Sequence, residues 1–158
     1  MQKEYSAQEL NNQGIALTEA DKSEEAIALF HEALKIEPWN PLLYLNLAIA
    51  EQKNGNCQAA EENFKAALAI DTKLGEAQAG LGLIHYGRGE FEEARHCYLL
   101  ALENNCCIPK VMNNLGVLDF INGDFESARS CFESALSLMP NYKDAILNLQ
   151  DVHSKDKR

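Results

Sequence analysis

The sequence repeats itself every 34 residues. Gly14, Ala48, Gly82 and Gly116 hold that spacing, as do Ala26, Ala60, Ala94 and Ala128. So do Phe30, Phe64, Tyr98 and Phe132, and again Ala33, Ala67, Ala101 and Ala135. Four columns in one register, through four copies without an insertion, restrict the chain to a periodic architecture. Each copy must be one supersecondary unit, and neighbouring copies must stack to bury a shared core. The copies run 7–40, 41–74, 75–108 and 109–142.

Each copy holds two apolar stretches with helical spacing. In the last, Leu115, Leu118 and Ile121 mark the first, and Ala128, Cys131, Phe132, Ala135 and Leu136 the second. A breaker separates them: Asn54-Gly55-Asn56, Arg88-Gly89-Glu90 and Asn122-Gly123-Asp124, with Ala20-Asp21-Lys22 in the first copy. Glycine there takes the left-handed conformation that ends a helix, and the polar residue after it is placed to cap the next. Pro38 and Pro140 stand just beyond the second helix of their copies.

These columns resemble those of the tetratricopeptide repeat family over residues 7–142. The small residues match that family's sites of close helix contact, and the aromatic column fills the space between one repeat and the next. The departures are mild. The family's tryptophan position carries Leu10, Tyr44, Gln78 and Met112, and its tyrosine position Leu17, Glu51, His85 and Asp119. The resemblance implies an all-α superhelical solenoid of four helix-turn-helix repeats, a right-handed arc whose first helices line the concave side. A stack of this kind needs a terminal helix with a polar outer side. Residues 143–152, with Ala145, Ile146, Leu149 and Val152 apolar and Asp144, Asn148 and Asp151 polar, supply it. The expected architecture is nine helices in a single domain over 1–158, with 153–158 as a frayed tail.

Composition narrows the function. With 14 Lys and Arg against 24 Asp and Glu, the formal net charge is -10, the wrong sign for nucleic acid or an anionic membrane surface. The longest apolar candidate for a membrane span, Leu42 to Ala50, is short and interrupted by Asn46. No secretory leader is legible at the N-terminus, so the five cysteines are expected as thiols in a reducing cytoplasm. Cys57, Cys97 and Cys131 read as small apolar side chains of second helices. Cys106-Cys107 lacks the spacing of a zinc site.

Catalytic motifs fail in turn. His31-Glu32-Ala33-Leu34-Lys35 has lysine where a zinc protease needs its second histidine. Gly80-Leu81-Gly82 and Gly87-Arg88-Gly89 lie on or after a helix with no following lysine and hydroxyl, so they do not form a phosphate loop. The expectation is no enzyme, no metal and no cofactor.

The concave face is where the residues are informative. Two positions before each small residue of the first helices stand Asn12, Asn46, Gly80 and Asn114, and the terminal helix continues the column with Asn148. Asparagine is a mediocre helix former, but its amide can pair with both C=O and N–H of an extended backbone. The column looks like the asparagine ladder of the tetratricopeptide arrays on the O-linked N-acetylglucosamine transferase; it is also frequent in the family consensus, and both readings stand. On the same face lie Ile15, Leu42, Leu45, Ile49, Leu83, Tyr86, Val117, Phe120 and Ile121, an apolar stripe that a partner segment or a second copy would cover. Gly80 and Gly87 are expected to leave a gap for a bulky ligand side chain.

Some members of the family grip the C-terminal carboxylate of heat-shock proteins. Asn46 matches one clamp position, but Asn11 and Glu76 stand where lysines belong, with Ile15 and Gly80 at others. Without those cations the desolvation of a carboxylate is uncompensated. The leading expectation is a non-catalytic scaffold or adaptor that binds a protein or peptide in its groove. The alternatives are a small cytosolic secretion-type chaperone holding apolar cargo and a self-associating module, a homodimer through the groove.

Overall fold

The computed structural model describes residues 5–106 and 108–155. Nine helices lie among them and no strand: α1 (Ala7–Glu19), α2 (Ser23–Ile36), α3 (Pro41–Lys53), α4 (Cys57–Ile70), α5 (Gly75–Gly87), α6 (Phe91–Glu103), α7 (Ile108–Ile121), α8 (Phe125–Leu138) and α9 (Lys143–Lys155). Their starts follow from local chemistry. Ser6 opens α1 with a capping box: its hydroxyl accepts from the Glu9 N–H at 3.2 Å, and the Glu9 carboxylate accepts from the Ser6 N–H at 2.9 Å. Asn40 caps α3 and Pro41 follows at its first position.

The turns inside the repeats use positive φ, at Gly55 (84°), Gly89 (78°) and Gly123 (81°). Asp21, with φ 58°, takes the same role in the first repeat, which lacks the glycine. The expected caps after the glycine are only partly present. Asp124 does cap α8, accepting from Ser127 N–H at 3.0 Å. Asn56 and Glu90 make no side-chain cap. Both reach back instead to the first helix of their own repeat: Asn56 donates to Glu51 at 2.7 Å, and Glu90 meets His85 at 2.6 Å. A half-buried polar group one turn before the helix end outcompetes the cap.

Helices pair as hairpins, α1 with α2 through α7 with α8, and each second helix packs on the first helix of the next repeat. Successive first helices also touch, α1 with α3, α3 with α5 and α7 with α9. No two second helices come as close among the described residues, so the first helices form the inner side of the stack. The alanine columns at Ala26, Ala60, Ala94, Ala128 and at Ala33, Ala67, Ala101, Ala135 are fully buried, and the four rings Phe30, Phe64, Tyr98 and Phe132 nearly so. Burying each such ring contributes on the order of 1.5–3 kcal/mol.

The terminal helix seals the stack. Ala145 and Val152 are fully buried, the latter against Ala128 and Phe132. It is longer than the sequence reading: His153, Ser154 and Lys155 continue α9, where a frayed tail from 153 was expected. The remainder of that tail, and Cys107, lie outside the described residues.

Candidate functional site

The first-helix face carries clefts that recur with the repeat. One of about 220 Å³ lies between α1 and α3, lined by Ile15, Thr18, Glu19, Phe30, Asn46, Ile49 and Lys53. A second of about 160 Å³ lies between α5 and α7, lined by Leu83, Tyr86, Tyr98, Asn114 and Val117. A third of about 50 Å³ lies between α7 and α9, lined by Val117, Phe120, Phe132, Asn148 and Asp151. Each takes equivalent residues: the ring of a second helix forms the floor, apolar residues of the flanking first helices form the walls, and an asparagine stands at the rim.

Most of the residues expected in the groove are at least partly accessible on this face. Leu42, Leu83 and Ile121 are about half exposed, and Ile15, Ile49, Tyr86, Val117 and Phe120 are half-buried beside the clefts. Leu45 is not. At 3% exposure it belongs to the core with Phe64, Ala77 and Leu81, because its helix position faces the neighbouring first helix and not the groove. The gap expected at Gly80 is also closed: a Cβ there would lie 2.6 Å from Phe64 Cε2 and still nearer the tip of the ring, so the phenyl occupies the space. Gly87 is exposed with nothing packed over it.

The asparagine column proves to be two interlocked pairs and two separate members. Asn46 donates to the Asn11 carbonyl oxygen at 2.9 Å, and Asn148 donates to that of Asn113 at 2.9 Å. Each pair joins one first helix to the next. Asn12 is exposed. The position that would match Asn11 or Asn113 carries Ala79 at this boundary, with no side-chain amide, and Asn114 lies beside the Tyr98 hydroxyl. That hydroxyl is buried and lacks the geometry of a full hydrogen bond, although the two groups are close enough for Asn114 to favour its ionised form. Burial dominates and pushes the Tyr98 phenol well above its ordinary range.

Sequence reasoning missed Thr18, Lys53, Asp151 and the rings themselves as lining residues. The aromatic column was read as filling between repeats; the structure shows that it also floors the clefts. The signal was present in Tyr98, the one ring of the column with a hydroxyl.

Charge is sparse in the clefts. Lys53, at the rim of the first, donates to the Thr18 carbonyl at 2.9 Å and lies 3.6 Å from Asp21. A separate polar hollow of about 520 Å³ between α6, α7 and α8 holds Arg95, Asp119 and Cys131. Arg95 donates to Asp119 at 2.6 Å, and the Cys131 thiol lies 3.6 Å from the other carboxylate oxygen. Burial and that carboxylate hold the thiol at about 11, so it stays protonated and a poor nucleophile near neutrality. Among the described residues no three His, Cys, Asp or Glu are placed to hold a metal ion. No helix among them is long and apolar enough to cross a membrane.

Comparison with known proteins agrees with this fold. Family profiles described as tetratricopeptide repeat match residues 17–62, 45–105 and 109–142. A heat-shock protein cognate co-chaperone of Aspergillus fumigatus, sgt12, is 30% identical over 94 residues, 60% of this chain and 28% of that protein. The small glutamine-rich tetratricopeptide repeat-containing protein 2 of Mycosarcoma maydis is 29% identical over 97 residues, 61% and 28% of the respective lengths. The chain thus spans about a quarter of the length of these relatives. Among solved structures, Pseudomonas aeruginosa PilF superposes with a TM-score of 0.82 at 25% identity, covering 96% of this chain and 71% of that one. MamA gives 0.77 at 20% identity, covering 96% and 82%.

Proposed function

The chain belongs to the tetratricopeptide repeat family, and we propose that it is a non-catalytic scaffold or adaptor that holds an apolar segment of a partner polypeptide along its first-helix face. The observation that carries this is the recurrence of an apolar-floored cleft at equivalent positions between α1 and α3, α5 and α7, and α7 and α9. A surface built only to be solvated has no reason to repeat an apolar-walled cleft. The half-exposed Leu42, Leu83 and Ile121 extend the same face.

A chaperone-like role is the second reading, supported by the co-chaperone relatives. Carboxylate capture is not the means we assign to it. Asn46, the one match to a clamp position, is engaged by Asn11, and Glu76 stands where a cation is needed. We place the protein in the cytoplasm, where the buried thiol of Cys97 would stay reduced.

The test replaces Ile49 and Val117 with Asp, and in a separate variant Leu83 with Asp. Each places a carboxylate against the apolar ligand face. Partner capture from native lysate should fall at least tenfold with circular dichroism unchanged. Capture that survives in both folded variants would refute the groove as the binding face.

A further inference from the structure

The turn that closes α7 has a chemistry that the groove does not use. Asn-Gly occurs twice in the sequence, at Asn54-Gly55 and at Asn122-Gly123, and both stand exposed at the end of a first helix. An asparagine before glycine closes readily on its own backbone, because no Cβ shields the glycine nitrogen. We propose that Asn122 is a site of spontaneous deamidation, favoured over Asn54, and that the carboxylate formed there pairs with Arg95 across the boundary between the third and fourth repeats.

The reaction needs only water. Hydroxide removes the Gly123 N–H proton, and the nitrogen attacks the side-chain Cγ of Asn122. A C–N bond forms, the bond from Cγ to the amide nitrogen breaks, and ammonia leaves with a proton returned by water. A second water opens the cyclic imide at either carbonyl, giving aspartate or isoaspartate. The net change is amide and water to carboxylate and ammonium, with nothing oxidised or reduced.

Folding holds the reaction back at both sites, and unequally. Asn54 sits at φ -76°, ψ -3°, whereas ring closure swings the glycine nitrogen round to the side-chain carbon. The Gly55 N–H donates to the Gln52 carbonyl at 3.1 Å, and the Gly123 N–H to that of Phe120 at 3.1 Å. Each turn must therefore open before it reacts. Side chains hold the first turn shut: Asn56 donates to Glu51 at 2.7 Å, and Lys53 reaches the Thr18 carbonyl of the preceding repeat at 2.9 Å. At the second turn those three places carry Asp124, Asp119 and Ile121. Asp124 turns forward to the Ser127 N–H, and two ionised carboxylates have no proton to share. The Asn122 turn thus opens more readily.

Register supplies the partner of the product. Glu61 on α4 and Arg88 in the turn after α5 form an ion pair across a repeat boundary at 2.5 Å. One repeat on, the same two positions are Arg95 and Asn122, and both line the polar hollow between α6, α7 and α8. A carboxylate at 122 restores the pair with its signs exchanged. Arg95 already donates to Asp119 through one nitrogen, and its guanidinium has further N–H groups to offer. At Asn54 the matching position is Ile27, which carries no charge.

The test incubates the full chain in warm, mildly alkaline buffer, folded and in parallel in guanidinium chloride. Peptide mapping by mass spectrometry follows the conversion of amide to acid at both asparagines. The two sites should react at similar rates in denaturant. In the folded chain both should slow, with Asn122 converting about fivefold or more faster than Asn54. Asn54 converting as fast as Asn122 or faster, or Asn122 remaining an amide while the unfolded chain reacts, would overturn the site. The pairing is read from Asn122→Asp, Arg95→Gln and the double variant by urea unfolding. Asn122→Asp should lower the folding constant about two- to fivefold more in the Arg95→Gln background than in the parent chain, and added salt should shrink that difference. Equal effects in the two backgrounds would overturn the pairing and leave the deamidation site standing.

Discussion

The boundary between the first and second repeats and the boundary between the second and third are built from the same columns and solved in opposite ways. At the first, Asn46 pairs with Asn11 across α1 and α3, and the Phe30 ring rests on Gly14 of its own repeat, with ring carbons 2.6 and 2.7 Å from where a Cβ would stand. At the second, the positions that hold those asparagines carry Leu45 and Gly80. The Phe64 ring packs in one cluster with Ala48 of its own repeat and lies against Gly80 of the next. Tyr98 on Gly82 and Phe132 on Gly116 follow the first pattern. Every ring of the column bridges two repeats, Phe30 with Leu47 and Ala50, Tyr98 with Val111 and Leu115, and Phe132 with Val152; what differs at the second boundary is that the ring meets a glycine where its counterparts meet an asparagine.

The sharpest way to break the comparison is Gly80→Asn, which makes the asparagine column uniform. The new Cβ falls inside the Phe64 ring, and overpacking of this kind costs about 1–3 kcal/mol, more than the few tenths recovered from helix propensity. Ala48→Gly opens the other seat and should rescue the double variant by about 1 kcal/mol or more of coupling. Urea unfolding of the four proteins measures it, and strict additivity would show that the ring's seat does not depend on the methyl.

A smaller effect separates the asparagines. Asn46→Ala leaves the half-buried Asn11 amide without its partner and should cost about 0.5–1.5 kcal/mol, partly offset by the better propensity of alanine. Asn12→Ala, at an exposed position of the same column, should be neutral or raise the midpoint slightly. Equal midpoints for the two variants would remove the joint at Asn46 from the account. The smallest change expected is a gain. Gly87→Ala, where an added Cβ meets nothing within 4 Å, should stabilise by about 0.5 kcal/mol. A loss there would mean that α5 needs a glycine at its last turn for reasons of backbone and not of packing.

The repeat columns made the fold legible because every one of them is a packing position: the alanines and rings that recur every 34 residues are the ones buried. Accessibility on the first-helix face was legible where it follows from helix position alone, as at the exposed Leu42 and Leu83. Leu45 was misplaced because a helix wheel shows which side a residue takes but not how far away the next helix lies. Pairing the column before each asparagine with the asparagine one repeat on would have exposed the logic. Asn11 meets Asn46 and Asn113 meets Asn148, whereas the same positions at the other two boundaries carry Leu45 with Gly80 and Ala79 with Asn114. Gly80 looked like a gap because a missing side chain was read without asking which neighbour would move into it. The hydrogen bonds of Asn56 and Glu90 with α3 and α5 were hidden for the same reason: a competing partner on the preceding helix decides whether a polar residue caps.

The seating of Phe64 also bears on cooperativity. A stack of repeats behaves as a one-dimensional chain of units coupled to their neighbours, and it frays from its ends unless some boundary holds more strongly than the others. Each ring of the column spans two repeats and cannot lose one of them without uncovering itself, which couples every repeat to the next. The middle boundary lies between the two ends from which fraying starts and is among the last that it reaches. Amide exchange in α4 and α5 should report the slowest opening of the molecule, and transferring an asparagine pair to that boundary should let the two halves unfold as separate events.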